Sequence, residues 1–381
     1  MSKKKKPVKK PVKSSRKSAE PTARQPSLTS LRRDIDKIDQ QIVSLANKRA
    51  QLAQEAGSLK QHAGDSIYAP DREEQVMSQA AQKNRGPLSD ESVRNIFREL
   101  ISGTRLAQKH IRVAYLGPEY TYSHLAAIER FGQSTELHPV SSIAAVFEEV
   151  ERRQVEFGVV PVENSTDGRI ADTLEMLAKT SSQICGEVQL RIHHNLVGKG
   201  PRAAIREVYS KPQALSQCRN WTAKHLPAAK LIEVASTAEA AEIVGKKQGA
   251  AAIASRQAAV NYRLDVLAQK IEDNPDNITR FAVIAHESPQ RTGNDKTAIV
   301  FEIDHQPGEL ADAMTIFKRN RLNLTWIESF PIVGEAGRYL FFVEFVAHKT
   351  ELRARRALAA LEKRAVRLVV LGSYARMEPV G

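Results

Sequence analysis

Cysteine is nearly absent from this sequence: its 381 residues include two, Cys185 and Cys218. Two isolated cysteines make neither a disulfide framework nor a zinc-binding spacing, and such sparing use fits a cytoplasmic protein. Long apolar runs are also missing. No stretch reaches the ~20 residues that cross a bilayer, so no membrane partner is expected. Acidic residues are almost missing from the start of the chain, where residues 1–24 set ten Lys and Arg against the single Glu20. That tail supplies nine of the thirteen net positive charges and leaves four for the rest. The body is therefore close to balanced, and no specific nucleic-acid partner is expected despite the overall charge. The tail lacks aromatic residues and an apolar h-region, which excludes a signal peptide and predicts a disordered basic extension over 1–26. "VGKG" at 197–200 lacks the spacing of a phosphate loop. His193 and His194 are adjacent on a predicted strand and point to opposite faces, so they are assigned a structural role and no metal is expected.

What is present falls into three rhythms, as a chain too long for one core should. Over 27–110 the pattern is helical. Leu31, Ile35, Ile38, Ile42, Leu45, Leu52, Ala56 and Leu59 recur at spacings of three, four and seven, which predicts one long helix that needs a partner surface. A second helix covers "PDREEQVMSQAAQ", and a third starts near Ser89 with Val93, Ile96, Phe97, Leu100 and Ile101 on its apolar stripe. Over 111–288 short apolar strands, "IRVAYLG", "FGVVPVEN", "REVYS" and "GAAAIAS", alternate with amphipathic helices, which predicts an α/β domain with a largely parallel sheet. Over 296–376 the order is βαββαβ, a ferredoxin-like α+β unit.

Several polar residues stand on apolar faces. Arg49 sits on the seam between Leu45 and Leu52. Lys60 follows at a rotation of roughly 20° and a rise of about 16 Å, so both cations share one face, which is costly unless an anion meets them. Thr104 and Gln108 continue the stripe of Leu100, and Arg72 and Glu73 open the second helix. Together they describe a polar, net-cationic pocket suited to a small dianion. Further on, Thr279 and Arg280 stand at the mouth of an apolar strand, after the turn-rich "EDNPDN", where a loop can hold a hydroxyl and a cation towards an anion.

"LRRDIDKIDQQIVSLANKRAQLAQEAGSLK" with "IYAPDREEQV" resembles the all-helical chorismate mutase domain. The resemblance implies that Arg32, Arg49, Lys60, Arg72, Glu73, Thr104 and Gln108 hold the substrate, with Ala69 where an aspartate is common. "GPEYTYSHLAA", "VPVENSTDG", "VYSKPQALSQC", "STAEAA" and "NITRF" resemble prephenate dehydratase, in that order. They mark Thr121, Ser123, Glu163, Asn164, Ser165, Ser210, Gln217, Thr279 and Arg280 as site residues, with Lys211 replacing a frequent histidine and Tyr120 a frequent glycine. "PGEL" and "IESFP" resemble the ligand-binding motifs of an ACT domain, implying a phenylalanine site at Gly308, Glu309, Leu310, Glu328 and Ser329, with Phe330 where an arginine is usual. The whole is similar to the bifunctional P-protein family. Its fold would be a helical mutase bundle, a two-lobed dehydratase domain like a periplasmic binding protein, and an ACT domain.

The resemblance implies two reactions without any cofactor. Chorismate rearranges to prephenate by a pericyclic step, in which Arg32 and Arg49 clamp carboxylates, Lys60 and Gln108 donate towards the ether oxygen, and Glu73 accepts from the ring hydroxyl. Arg32 lies about 100° around the helix from Arg49, so it would serve a partner's pocket, consistent with an intertwined homodimer, itself compatible with a tetramer. Prephenate then loses hydroxide and carbon dioxide to give phenylpyruvate. Here Thr279 is the hydrogen-bond donor, Arg280 binds an anion, and Asn164, Ser210 and Gln217 orient the substrate. Glu163 either assists proton transfer or holds its loop. Phenylalanine is the expected feedback effector. The rival readings are a monofunctional dehydratase whose helical domain only dimerises it, and a non-catalytic amino-acid sensor.

Overall fold

A computed structural model describes residues 27–62, 70–108, 110–332 and 338–380, and the side chains of 60–71 lie outside the description. The basic tail, the Lys60 side chain and Ala69 therefore fall outside the described residues. The chain divides into two compact units, the first ending at Leu52 and the second starting at Ala53.

In the first unit, helix α1 (Leu28–His62) begins as a regular helix whose seam is solvent-exposed: Leu31, Ile35, Ile38, Ile42 and Leu45 are each at least 45% accessible. An apolar stripe this exposed on the described helix calls for a partner surface.

The second unit opens with the last turns of α1, then α2 (Pro70–Lys83) and α3 (Asp90–Leu106). Ser89 caps α3 by accepting from Ser92 N at 3.1 Å, and Asp90 and Glu91 complement the helix dipole in the first turn. Glu74 of α2 pairs with Arg94 of α3 at 2.5 Å.

Two lobes follow. The first holds β1 (Arg112–Leu116), α4 (Tyr122–Phe131), β2 (Glu136–Val140), α5 (Ile143–Glu151), β3 (Phe157–Asn164), β4 (Gly168–Arg169), α6 (Ala171–Lys179) and β5 (Gln183–Arg191). The second holds β6 (Asn195–Gly198), β7 (Glu207–Ser210), α7 (Pro212–Gln217), α8 (Arg219–His225), β8 (Lys230–Glu233), α9 (Thr237–Gly245), β9 (Ala250–Ala254), α10 (Arg256–Asn261) and β10 (Asp265–Ala268). The chain then returns to the first lobe as β11 (Ile278–Ala285). The sheets run β2-β1-β3-β11-β5, with β4 on β3, and β10-β6-β9-β7-β8.

The expected largely parallel sheet is corrected to two mixed sheets. β1 is parallel to β2 and β3, but β11 is antiparallel to both β3 and β5. The reason is topological: β11 enters the first lobe from the crossover at the lobe boundary, beside the end at which β3 stops. His193 and His194 lie in the other crossover, between β5 and β6, rather than on a strand.

The C-terminal portion has β12 (Asp295–Glu302), α11 (Glu309–Arg319), β13 (Leu324–Pro331), β14 (Tyr339–Val346), α12 (Leu352–Glu362) and β15 (Arg367–Ala375) in one antiparallel sheet, β13-β14-β12-β15. One sheet face packs on its two helices through Ile299, Phe301, Phe317, Phe345 and Leu361. The other face shares a core with the first lobe, where Val300, Phe342 and Leu371 meet Leu174, Leu177 and Ile184. Gly372 is required at this junction, because a Cβ there would lie 2.1 Å from the Ile184 carbonyl oxygen. Among the described residues, no helix is long and apolar enough to cross a membrane.

Candidate active site

The best-organised polar cluster sits where the two lobes meet. Register pairs Thr279 of β11 with Asn164 of β3, and Arg280 with Glu163. Alternation along a strand then sends the first pair to one face and the second to the other.

On the first face three side-chain amides close a ring. Asn164 Nδ2 donates to Asn277 Oδ1 at 2.9 Å, Asn277 Nδ2 donates to Gln217 Oε1 at 2.9 Å, and Gln217 Nε2 donates to Asn164 Oδ1 at 3.4 Å. The amide orientations are set by unambiguous neighbours. Backbone N–H groups of Thr166 and Asp167 donate to Asn164 Oδ1 at 2.9 and 3.0 Å, so Nδ2 is the group that faces Thr279 Oγ1 at 2.8 Å. Gln217 Nε2 reaches the Asp167 carboxylate at 2.8 Å, so Oε1 is the group that faces His194 Nε2 at 2.8 Å. Thr279 accepts from Asn164, which leaves its own O–H proton for another acceptor.

The sequence motifs pointed to Asn164, Gln217 and Thr279 but not to Asp167, His194 and Asn277 as members of the cluster. Asn277, the last residue of "EDNPDN", is buried directly before the strand, and an Asn so close to Thr279 was the available signal. His194 was legible only as one of a pair. His193 instead binds Glu272 at 2.8 Å. Burial lowers the His194 pKa from the ordinary histidine value and keeps the ring neutral. Burial pushes the Cys185 thiol up to about 12, and the Cys218 thiol upward as well, so neither is a nucleophile at neutral pH.

The second face corrects the expectation for Arg280. Its guanidinium is not beside Thr279. It pairs with Glu163 at 3.3 Å and with Glu344 of β14 at 2.5 Å, and lies over the Trp326 ring at 5.3 Å. Lys296 completes the group, 2.6 Å from Glu187 and 3.0 Å from Glu344, and Tyr374 Oη donates to Glu344 at 2.7 Å. Burial opposes the Glu344 charge, but Arg280 and Lys296 more than offset it and hold the carboxyl below its ordinary range. Arg280 thus joins the first lobe to the C-terminal sheet, and Glu163 is bound up in the same ion network.

The remaining dehydratase positions serve local structure. Thr121 caps α4, accepting from His124 N and donating to Pro118 O at 2.9 Å; Ser123 is buried in the first turn of that helix. Ser165 accepts from Ile278 N at 2.9 Å and donates to Asp276 O at 3.3 Å, which clips its hairpin to the returning strand. Ser210 is fully buried and donates to Ile253 O at 2.7 Å, so its hydroxyl is not presented to a ligand as expected. Tyr120, where a glycine is frequent, has φ +65°, the left-handed region that glycine enters without strain. Its ring packs edge-on against Tyr262 of the other lobe at 6.2 Å.

In the helical region, the Gln108 amide lies against α1 at Gly57, where a Cβ would come within 2.9 Å of it. Thr104 is buried and donates to Leu100 O at 2.6 Å. Both Glu73 oxygens are engaged by Arg105, at 3.1 and 2.9 Å, a bidentate clamp that no sequence motif announced. The two contacts hold the Glu73 carboxylate in a fixed orientation. Arg72 is exposed and donates to Gln75 at 2.6 Å. Arg32 is exposed and Arg49 half-buried on the first unit.

In the C-terminal portion, Gly308 caps α11 at φ +94°, a conformation that favours glycine, and Glu309 and the partly exposed Leu310 begin the helix. Glu328 and Ser329 lie on β13, and both are met by Arg169 of β4: its Nη1 donates to Glu328 Oε2 and to Ser329 O, each at 3.0 Å. The same guanidinium lies 5.9 Å from the Phe330 ring centre. The described residues hold no group of three or more His, Cys, Asp or Glu able to bind a metal.

The chorismate mutase type II family model matches residues 31–109, and the prephenate dehydratase model matches residues 113–289. The chain is 42% identical over 352 residues to a bifunctional chorismate mutase/prephenate dehydratase of Aquifex aeolicus, covering 91% of this chain and 97% of that one. To the enzyme of the same name from Pseudomonas aeruginosa it is 41% identical, covering 92% and 98%. Among solved structures, a prephenate dehydratase from Arthrobacter aurescens, in complex with L-Phe, superposes with a TM-score of 0.66 at 31% identity, over 70% of this chain and 90% of that chain. Two catalytic regions in the same order, over nearly the full length of these relatives, place the chain in the bifunctional chorismate mutase/prephenate dehydratase family, as an enzyme of phenylalanine biosynthesis that converts chorismate to prephenate and prephenate to phenylpyruvate.

Proposed function

We propose that Thr279 is the donor of the dehydratase step, with Asn164 and Gln217 as the amides that orient it. The observation that carries this is the hydrogen bond from Asn164 Nδ2 to Thr279 Oγ1. It occupies the hydroxyl as an acceptor, so the Thr279 proton points away towards the departing C4 oxygen. Prephenate, a dianion, loses carbon dioxide and hydroxide to give the phenylpyruvate monoanion. A donor at the leaving oxygen stabilises the charge that develops there. In the mutase step, Arg32, Arg49 and Lys60 hold the carboxylates and the ether oxygen, together with Arg72, Thr104, Gln108 and the Arg105-oriented Glu73. The exposed seam of α1 supports a homodimer that buries it. The free, buried cysteines support a cytoplasmic protein.

The domains of this reading are the tail (1–26), the mutase (27–110), the dehydratase (111–288) and an ACT regulatory domain (296–376) that binds phenylalanine near Gly308, Glu309, Leu310, Glu328 and Ser329. Arg169 supplies the cation at that motif from the catalytic lobe, because it reaches Glu328, Ser329 and Phe330 at once. It also ends the hairpin whose other residues, Asn164 to Asp167, hold the amide ring. A ligand that drew Glu328 away from Arg169 would bias that hairpin, which is what inhibition through differential affinity requires.

The test is to supply chorismate to the full chain with Thr279→Ala. Prephenate should accumulate while phenylpyruvate formation collapses. Phenylpyruvate formed at the unmodified rate would remove Thr279 from the reaction.

A further inference from the structure

Among the described residues, His194 is the buried ionisable group in contact with the amide ring that the reaction as described leaves without a role. It lies in the first crossover between the lobes, 2% accessible, with its ring edge-on to Tyr122 at 5.8 Å. Its Nε2 is 2.8 Å from Gln217 Oε1, and its Nδ1 is buried without a hydrogen-bond partner among the described residues. The tautomer follows from the neighbours. The Asp167 carboxylate, an acceptor, holds Gln217 Nε2, so Gln217 Oε1 faces the ring and can only accept. His194 Nε2 therefore carries the proton, and Nδ1 bears the lone pair. The other tautomer would place two acceptors 2.8 Å apart in a buried site, at the cost of unmade hydrogen bonds.

We propose that His194 is a positioning residue for the dehydratase reaction: its Nε2–H fixes the amide of Gln217, and through the amide ring it keeps Asn164 Nδ2 on Thr279 Oγ1. The polarity runs one way along the chain. His194 donates to Gln217 Oε1, Gln217 Nε2 donates to Asn164 Oδ1, and Asn164 Nδ2 donates to Thr279 Oγ1. With the His194 donor removed, Gln217 Oε1 keeps only Asn277 Nδ2 as a donor, and the preference of the amide for this orientation weakens. With Gln217 reversed, its oxygen would face Asn164 Oδ1 and the Asp167 carboxylate, and the ring would open. Thr279 would then lose the partner that commits its proton to the substrate. His194 touches no reacting atom, and its effect belongs in turnover rather than in substrate binding.

This inference rests on the Thr279 reading, and the experiment separates the two. Prephenate kinetics are measured on the full chain with His194→Leu, His194→Gln, Gln217→Leu and the His194→Leu/Gln217→Leu pair, alongside Thr279→Ala. His194→Leu should lower kcat by about tenfold or more with KM little changed, the scale expected when a reacting group is misplaced. His194→Gln, whose amide N–H can reach the Nε2 position, should recover much of that loss. The double variant should be no worse than Gln217→Leu alone, because one residue acts through the other. Unchanged kcat in His194→Leu, equal defects in the Leu and Gln variants, or losses that multiply in the double variant would each overturn the proposal. Full activity of Thr279→Ala would instead overturn the reading beneath it. Should His194→Leu fail to fold, the ¹⁵N spectrum of the histidine-labelled full chain, assigned by difference from His194→Gln, still decides. An Nε2–H signal for His194 is the expected result, and an Nδ1–H signal refutes the polarity of the chain.

Discussion

Thr279 and Arg280 are consecutive on β11 and serve opposite faces of the sheet. Thr279 accepts from Asn164 at the lobe boundary, and Arg280 pairs with Glu344 of the C-terminal sheet. Two adjacent rungs of the ladder, Thr279 with Asn164 and Arg280 with Glu163, therefore carry the amide cluster on one side and the attachment of the C-terminal sheet on the other.

Thr279→Ala should lower prephenate turnover by roughly 100-fold, the usual scale for a lost proton-transfer partner, while Thr279→Ser retains a measurable part. Chorismate-to-prephenate turnover should be unaffected in both. The check is steady-state kinetics on each substrate, and equal activity of the Ala and Ser variants would show the hydroxyl is unused.

Removing a charge from the other face should act on stability first. Glu344→Gln leaves Arg280 and Lys296 under-compensated in a buried site and should cost about 3 kcal/mol, read as a lower thermal or denaturant midpoint. The pH dependence has a definite sign. Because the folded carboxyl titrates below its ordinary value of 4.5, its contribution is complete above that pH and is lost as pH falls below it. Melting curves between neutral pH and the acid side of that value should show the unmodified protein losing this contribution and Glu344→Gln lacking it throughout.

Arg169→Ala breaks the contacts to Glu328 and Ser329 without touching the amide ring. Basal dehydratase turnover should fall towards the phenylalanine-inhibited level, and phenylalanine should add little further inhibition in a titration of the full chain. An unchanged inhibition curve would place the coupling elsewhere.

Gly372→Ala drives a Cβ into the Ile184 backbone carbonyl, which cannot yield as a flexible side chain does. The shift required between β15 and β5 should destabilise the protein by about 1–3 kcal/mol or more. Differential scanning calorimetry against the unmodified chain is the measurement.

Arg49→Ala should reduce mutase turnover on the order of 100-fold through lost charge stabilisation and leave prephenate turnover intact. Loss of both activities in a folded protein would argue against two separate sites.

The sequence by itself determined the elements of this protein. Helical periodicity marked the long first helix and its seam, short apolar runs marked β1, β3, β7 and β9, and the βαββαβ order of the C-terminal portion emerged strand for strand. These signals are local, since burial of one face imposes its period on the sequence. Asn164, Gln217 and Thr279 were likewise identifiable from their motifs.

Tertiary structure alone decided what each polar side chain does. The pattern "TRF" places a hydroxyl beside a cation, but strand alternation separates them, and the fate of Arg280 depends on Glu344, which lies 64 residues away in sequence. Ser165 and Ser210 carry hydroxyls suited to a ligand, yet their protons go to the carbonyls of Asp276 and Ile253. His194 finds its partner only when the fold sets the first crossover against Gln217 of α7, which Asn277 of the second crossover also contacts. Hydrogen bonds and ion pairs are short-ranged and directional, so their partners are chosen by which segments the fold makes neighbours. A hydrophobic period is written along the chain itself, and for that reason the elements could be read from the sequence while the wiring between them could not.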